Sequence, residues 1–280
     1  MKAETNLQRI LAKGAFAVTC EYNPPRGTDV DSVVKNASRL KGKVHAVNVS
    51  DNSTAKVRMA SWALSKVLLD AGIEPILQMT TRDRNRIALQ SDLLGAAAMG
   101  IQNVLCLTGD HPTTGDHPQA KKVFDIDAVQ WIGAVKQIRD QGMLMNGKKI
   151  TGDPGFFIGA VANPFVKSVE LHNLRLEKKI AAGAEFIQTQ PVLDMAPFKE
   201  WLSLVVKKKL TNHCAIIAGV VAIKSVAMAK HLKNSVPGMM IPDAVLDRLG
   251  AVAEAMQLEE GVKICVENIQ KLKKTKGVSG

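Results

Sequence analysis

Short apolar runs rich in β-branched residues recur along the chain at a regular interval. Seven of them, six or seven residues long and bounded by polar or glycine-containing segments, predict β-strands. They cover residues 16–21, 44–50, 74–80, 103–108, 156–162, 185–190 and 215–221. Within the first four runs, and again within the last three, consecutive runs begin about 30 residues apart.

Helical patterns fill the intervals between these runs. In residues 30–40 and 57–68, apolar side chains repeat at the 3.6-residue period of an amphipathic helix. Gly72, Gly100 and Gly183 each stand just before a predicted strand, where a left-handed residue ends the preceding helix. A strand-helix unit of about 30 residues, repeated in series, is typical of parallel βα architecture. We therefore predict an α/β fold, a (βα)8 TIM barrel.

The sequence shows no clear run for the eighth strand of such a barrel. After the seventh run, helical patterns cover residues 225–232, 243–256 and 260–273, and only a short segment remains. The eighth strand is therefore missing or truncated at the C-terminus, or the barrel closes in another way. The alternative is a doubly wound dinucleotide fold, but the first run leads into residues 22–27 without a GxGxxG motif. We expect one domain over residues 1–280.

Composition narrows the classes of partner. The 280 residues include 37 Lys+Arg against 26 Asp+Glu, a formal net charge of +11. With one Tyr, seven Phe and three Trp, the chain lacks the aromatic residues that single-stranded nucleic acids stack on, so a small anionic ligand is favoured over nucleic acid. No apolar stretch approaches the ~18 residues of a membrane span, and we expect a cytoplasmic protein.

Metal and disulfide sites are not favoured. The four cysteines lie far apart, without spacing for zinc or for a disulfide framework. His111 and His117 each stand beside a proline in a loop and have no paired carboxylate at ligand spacing. We predict no metal site.

Polar residues gather where the predicted strands end. In a βα barrel, binding and catalytic side chains lie at the carboxyl ends of the strands and in the loops that follow. The residues in these positions are Glu21, Ser50, Asp51, Asn52, Ser53, residues 78–83, Thr108, Gly109, Asp110, Asn163 and residues 188–190. We expect them to face one mouth of the barrel.

Glu21 and Asp110 are the strongest catalytic candidates. Glu21 ends an apolar strand beside a Pro-Pro turn, where desolvation would raise its pKa toward that of a general acid. The alternative is a salt bridge to Arg26 or Arg82. Asp110 follows the fourth strand, and its alternative is a turn aspartate that bonds its own backbone.

Two basic groups remain open between binding and structural roles. The run from Thr81 to Arg86 is predicted to start a helix, where its cations could hold phosphate or form a network with Asp83 and Asp92. Arg175, Lys178 and Lys179 recur at helical spacing before the sixth strand. They indicate either a solvated face or an anchor for the phosphates of a dinucleotide.

Four of these segments together resemble the methylenetetrahydrofolate reductase family. They are Cys20–Gly27 with Glu21, Thr80–Asn85, Leu105–Asp110 with its proline-containing loop, and Ala182–Ala184 leading to Thr189 and Gln190. The resemblance runs over essentially the whole chain in the correct order, and the Thr-Thr-Arg-Asp-Arg-Asn form is similar to the short reductases of anaerobes. No single motif is specific to the family, but four of them at matched strand ends are hard to obtain by chance.

The resemblance implies a TIM barrel that carries a flavin, usually FAD, across its C-terminal mouth. The implied reaction is reduction of 5,10-methylenetetrahydrofolate to 5-methyltetrahydrofolate by hydride from reduced flavin, in one-carbon metabolism and methionine biosynthesis. Glu21 would be the general acid that opens the imidazolidine ring to the iminium. Asp110 would lie near the flavin pyrimidine, contact the pterin and favour the cationic intermediate. Gln190 would hydrogen-bond the folate.

The resemblance also assigns the cofactor contacts. These residues are Ser50, Asp51, Ser53, Gln78, Thr108, Gly109, Asp110, Asn163, Arg175, Lys178 and Lys179. The segment from Asn163 to Arg175 is shorter than in the enterobacterial type, so FMN is an alternative to FAD. The electron donor is NAD(P)H or a partner protein. We expect a homo-oligomer or a hetero-complex, and the alternative function is a subunit of an electron- or methyl-transfer complex with little activity alone.

Overall fold

The computed structural model describes residues 5–166, 168–236 and 239–280, in which strands and helices alternate. The strands are β1 (Thr19–Tyr22), β2 (Ala46–Val49), β3 (Pro75–Thr80), β4 (Asn103–Leu107), β5 (Phe157–Ala162), β6 (Phe186–Pro191) and β7 (Ala215–Gly219). The helices are α1 (Asn6–Ala12), α2 (Val30–Ala37), α3 (Ser61–Asp70), α4 (Arg86–Ala98), α5 (Ala128–Gln141), α6 (Val169–Ala182), α7 (Met195–Lys207), α8 (Val226–Ser235), α9 (Asp243–Gly250) and α10 (Gln257–Lys273). All seven predicted strands are present at the predicted places.

Chain contacts divide the protein into two compact units. Unit 1 comprises residues up to 160 together with 181–185, and unit 2 comprises 161–180 and 186–280. In unit 1 the strands pair in parallel and in chain order, β1 with β2, β2 with β3, β3 with β4 and β4 with β5. In unit 2, β6 pairs in parallel with β7, with a register shift between Gln188 and Pro191.

Sequential order of parallel strands confirms the predicted fold class. A doubly wound sheet reverses its strand order at a switch point, whereas each strand of a βα barrel lies beside the next one in the chain. The fold is α/β, with seven parallel strands alternating with helices, as in a TIM barrel without its eighth strand.

The end of the chain lies along β7. The backbone N–H of Ser279 donates to the carbonyl of Ile216 at 2.7 Å, and the N–H of Ala218 donates to the carbonyl of Gly280 at 2.9 Å. Both bonds lie within unit 2. Their partners advance together along the chain, so residues 279–280 run parallel to β7. Residues 279 and 280 therefore form hydrogen bonds on the edge of β7 without being long enough to count as a strand.

A hydrophobic cluster in unit 1 fixes which way the first two strands face. Val47 and Val49 of β2 pack with side chains of α2 and α3, and Cys20 of β1 packs against the same cluster. Because successive side chains of a strand point to opposite faces, Glu21 and Asn48 lie on the face away from these helices.

The helices depart from their predicted bounds in three places. Residues 57–60 were expected within a helix, but α3 begins at Ser61; before it, the N–H of Val57 donates to the Asp116 carboxylate at 3.2 Å and the N–H of Met59 donates to the Pro25 carbonyl at 2.9 Å. Arg82 and Arg84 were expected to start a helix, but α4 begins at Arg86, where the Asn85 side chain accepts from the N–H groups of Ile87 and Ala88. The predicted pattern over 243–256 is interrupted, since α9 ends at Gly250.

Candidate functional site

Glu21 and Asn48 stand side by side on the same face of unit 1. The β1–β2 register pairs these two residues directly. Asn48 is only 5% exposed, and its Oδ1 has no hydrogen-bond partner within the described part of the chain. An unpaired buried acceptor is costly in a folded protein, so its presence next to Glu21 indicates a place that a ligand or water completes.

The carboxyl group of Glu21 has a raised pKa. The side chain reaches solvent, but protein surrounds much of the carboxylate, and this desolvation raises its pKa above the ordinary value. A side-chain hydrogen bond with Gln78 of β3 opposes part of the rise. Glu21 is therefore a carboxylic acid that keeps its proton to higher pH than an ordinary surface glutamate.

The salt bridges to Arg26 or Arg82 that would give Glu21 a structural role do not form among the described residues. Arg26 pairs with Asp116 at 3.2 Å, and Arg82 pairs with Asp83 at 2.6 Å. Both guanidinium groups that were considered as partners of Glu21 thus pair with other carboxylates. No cation among the described residues forms an ion pair with the Glu21 carboxylate, which leaves it available to a ligand.

Asp51 is the centre of a buried polar network. Its Oδ2 accepts from the N–H of Thr80 at 2.8 Å, from the Thr80 hydroxyl at 2.9 Å and from Nη1 of Arg84 at 2.7 Å. Its Oδ1 accepts from Nη2 of Arg84 at 3.2 Å, and Arg84 also pairs with Asp92. The Asp51 side chain is 1% exposed. Asp51 therefore holds the ends of β2 and β3 together, and its oxygens are occupied by protein donors.

Arg82 also connects the segments that follow the strands. It is 2% exposed, donates to both Asp83 oxygens, and also donates to the carbonyls of Asp110 and Asn52. The cations of this run thus form a network that includes Asp83 and Asp92, which was the structural alternative. Neither guanidinium is free to hold a phosphate in this arrangement.

Ser50 and Ser53 share one partner. The hydroxyl of each donates to Oδ1 of Asn23, both at 2.7 Å. Ser50 is buried, whereas Ser53 lies in the loop after β2. Asn23 thus ties the loop after β1 to the loop after β2 at the carboxyl ends of the strands.

The loop after β2 has a strained backbone that neighbouring carboxylates hold. Asn52, Thr54 and Ala55 have φ angles of 45°, 54° and 53°, in the left-handed region that residues other than glycine rarely adopt. The N–H of Thr54 donates to Oδ2 of Asp110 at 3.1 Å. Asp110 is exposed, and within the described part of the chain its carboxylate accepts from Thr54 and not from the backbone of its own turn.

Gly109 lies where a side chain would collide. Its φ is +89°, and a Cβ atom there would come within 3.1 Å of the Thr80 Cβ and 3.2 Å of the Arg82 Cβ. Thr108 beside it is exposed. Glycine at 109 therefore lets the strand-end loop pass close to the residues after β3.

In unit 2, four of the predicted residues line one cavity of about 190 Å³. They are Asn163, Arg175, Lys179 and Gln190. Lys178 does not line the cavity and is exposed. The Lys179 ammonium donates to the carbonyl of Val161 at 2.7 Å, which fixes its position at the cavity wall. His172, Leu176 and Trp201 complete the lining together with Val161 and Ala162.

Comparison with known proteins decides the family. The model of a family described as Methylenetetrahydrofolate reductase matches residues 6–280. The chain belongs to this family.

Individual relatives of the reductase family are distant. A Caenorhabditis elegans protein named "Probable methylenetetrahydrofolate reductase (NADPH)" is 24% identical over 95% of this chain and 39% of its own length. The 5,10-methylenetetrahydrofolate reductase of Pectobacterium carotovorum is 26% identical over 66% of this chain and 58% of its own length. The chain thus spans less than two thirds of either curated relative.

A solved structure shares the fold. It is an uncharacterized protein from Clostridium thermocellum, described as binding two copies of 5-methyl-5,6,7,8-tetrahydrofolic acid. The TM-score is 0.61 and the identity 16%, with 98% of this chain and 90% of that chain covered. At this identity the likeness shows the fold alone.

For this member of the reductase family, sequence reasoning missed four residues near the candidate sites. Asn23, Asn48, His172 and Trp201 are not among the predicted site residues. Asn48 could have been found, because a polar residue between two buried valines of a strand faces the same side as Glu21. No helix of the described residues is long and apolar enough to cross a membrane.

Proposed function

We propose that the chain catalyses the flavin-dependent reduction of 5,10-methylenetetrahydrofolate to 5-methyltetrahydrofolate. Family membership over residues 6–280 supports the reaction. The single observation that carries it for this chain is the environment of Glu21: a desolvated carboxylic acid, with raised pKa and no paired cation among the described residues.

Glu21 is suited to the proton transfer that this reaction needs. In the substrate, one carbon bridges two nitrogens, and the product keeps the bond to only one of them. Breaking the other carbon–nitrogen bond leaves electrons on a nitrogen that must receive a proton. A glutamic acid that keeps its proton to higher pH than an ordinary glutamate can donate it there, and general acid catalysis accelerates such a step by about 10²–10⁴-fold. Gln78 orients the donor through its hydrogen bond.

The residues present fit a flavin in each unit by itself. In unit 1, the unpaired Oδ1 of Asn48 offers a buried acceptor to a ring N–H group. In unit 2, Arg175 and Lys179 line a cavity whose volume of about 190 Å³ matches a phosphate with its adjoining group, below the ~300–1,000 Å³ of sites that enclose whole ligands. Bound reduced flavin would supply the hydride. FAD and FMN both remain consistent with one phosphate in this cavity.

Asp51 and the residues after β2 take a supporting role in this proposal. The buried Asp51 positions the strand ends through Thr80 and Arg84. Asp110 holds the strained loop through Thr54 and remains exposed to a ligand. Asp110 is therefore assigned to the pterin and flavin contacts, whereas Asp51 acts on the cofactor through the backbone it holds.

The experiment is reconstitution of the purified chain with FAD or FMN, followed under anaerobic conditions by NADH and then by methylenetetrahydrofolate. The proposal predicts a protein-bound flavin spectrum, bleaching by a reductant, and formation of 5-methyltetrahydrofolate. Absence of flavin binding would refute it. If NADH fails but dithionite bleaches the flavin and the folate reoxidises it, the donor is a partner protein, which is the complex-subunit alternative.

A further inference from the structure

Positively charged side chains line the cavity of unit 2. Arg175 and Lys179 both line it, and no acidic side chain does so among the described residues. Leu176 and Trp201, which are 2% and 1% exposed, form its apolar wall. A low-dielectric wall strengthens the field of the two cations, so the cavity attracts an anion.

His172 faces this cavity from the first turns of α6. Its N–H bonds to the carbonyl of Ser168, and its imidazole lies on the same helix face as Arg175 and Lys179, at spacings of three and seven residues. The lining residues from β5, β6 and α7 are neutral. Among the described residues that line the cavity, the charged groups beside His172 are thus the two cations of its own helix, and the positive end of the α6 dipole adds to them.

This environment favours the neutral form of the imidazole. Desolvation lowers the pKa of His172, and the charges of Arg175 and Lys179 lower it further. A dianion between these groups would offset the charges of Arg175 and Lys179. The neutral imidazole would then gain a proton, because a negative charge at close range favours its charged form.

We propose that His172 takes up a proton when a dianionic phosphate or sulfate group enters the cavity beside Arg175 and Lys179. The identification of that group with a flavin phosphate rests on the proposed function and applies to FMN, whose phosphate is a monoester that can carry two charges. Binding then places three positive groups around the anion, and affinity rises as pH falls. An opposite charge at close range raises a pKa by about one, so the affinity for the anion is expected to increase severalfold between about pH 8 and pH 6, toward a limit of about tenfold below the pKa of the free site.

Sulfate is the probe, because it stays dianionic throughout the range in which histidine titrates. The first measurement is the NMR titration of the His172 ring, assigned by its loss in His172→Gln, with and without sulfate. The expected result is an upward move of the His172 pKa by about one, with no move for the exposed helical His231. An unchanged His172 pKa at saturating sulfate would overturn the proposal.

The second measurement is sulfate affinity against pH for the wild type and variants. His172→Gln should abolish this severalfold pH dependence, while the matched control His231→Gln retains it. Equal pH dependence in wild type and His172→Gln, or no saturable sulfate binding, would contradict proton uptake at this site. Normal sulfate behaviour without any flavin binding would refute the proposed cofactor but leave this inference standing.

Discussion

Replacing Asp51 by asparagine tests whether the buried network, rather than a ligand, occupies this carboxylate. In the folded chain Asp51 accepts four hydrogen bonds, two from Thr80 and two from Arg84. Asparagine keeps one oxygen but turns an NH₂ group toward a donor, and it leaves the Arg84 guanidinium without its buried countercharge. Breaking a buried ion pair costs about 3–5 kcal/mol, and the remaining Asp92 contact favours the lower end, about 3 kcal/mol.

The measurement is equilibrium unfolding in urea, followed by circular dichroism and tryptophan fluorescence. The matched control is Asp92→Asn, because Asp92 pairs with the same arginine but its side chain is 30% exposed. The control should cost less than about 1 kcal/mol. An Asp51→Asn variant within about 1 kcal/mol of wild type, or equal costs for both variants, would refute the assigned role of Asp51.

Two further predictions concern Glu21 and Gly109. Because the pKa of Glu21 is raised in the folded chain, its stabilising contribution is present below the ordinary value of 4.5 and is lost as pH rises through the folded pKa. Glu21→Gln should therefore gain stability over wild type as pH rises above 4.5, by urea unfolding; a pH-independent difference would contradict this. Gly109→Ala should cost about 1–3 kcal/mol, from its φ of +89° and its crowding against Thr80 and Arg82. Gly95→Ala, in open space on α4, should instead add about 0.5–1 kcal/mol, and equal effects would contradict the assigned strain.

The strands were predictable because burial on a strand leaves a direct pattern in the sequence. Short apolar runs with β-branched residues mark β2 and β3 locally, and parallel pairing in chain order follows from the repeat. Helix starts were less predictable. Val57 continues an apolar period, but its N–H group bonds Asp116, which lies 59 positions away. No local pattern in the sequence predicts such a long-range contact.

The same limit applies to the candidate site. Glu21 was identified because its strand and the following proline turn are local features, and the structure adds the desolvation that supports an acid role. Asp51 and Arg84 are 33 positions apart, so the ion pair between them forms only when β2 and β3 pair. His172 gave no signal, because its chemistry depends on Arg175, Lys179 and the cavity they share.

The most direct test of the account is the reoxidation of prereduced, flavin-loaded protein by methylenetetrahydrofolate, measured in a stopped-flow instrument for wild type and Glu21→Gln. If Glu21 is the general acid, the variant should bind flavin and be reduced nearly as wild type, while reoxidation by the folate falls by at least ~10²-fold. Equal loss in both half-reactions, or undiminished reoxidation by the folate, would contradict the central role given to Glu21.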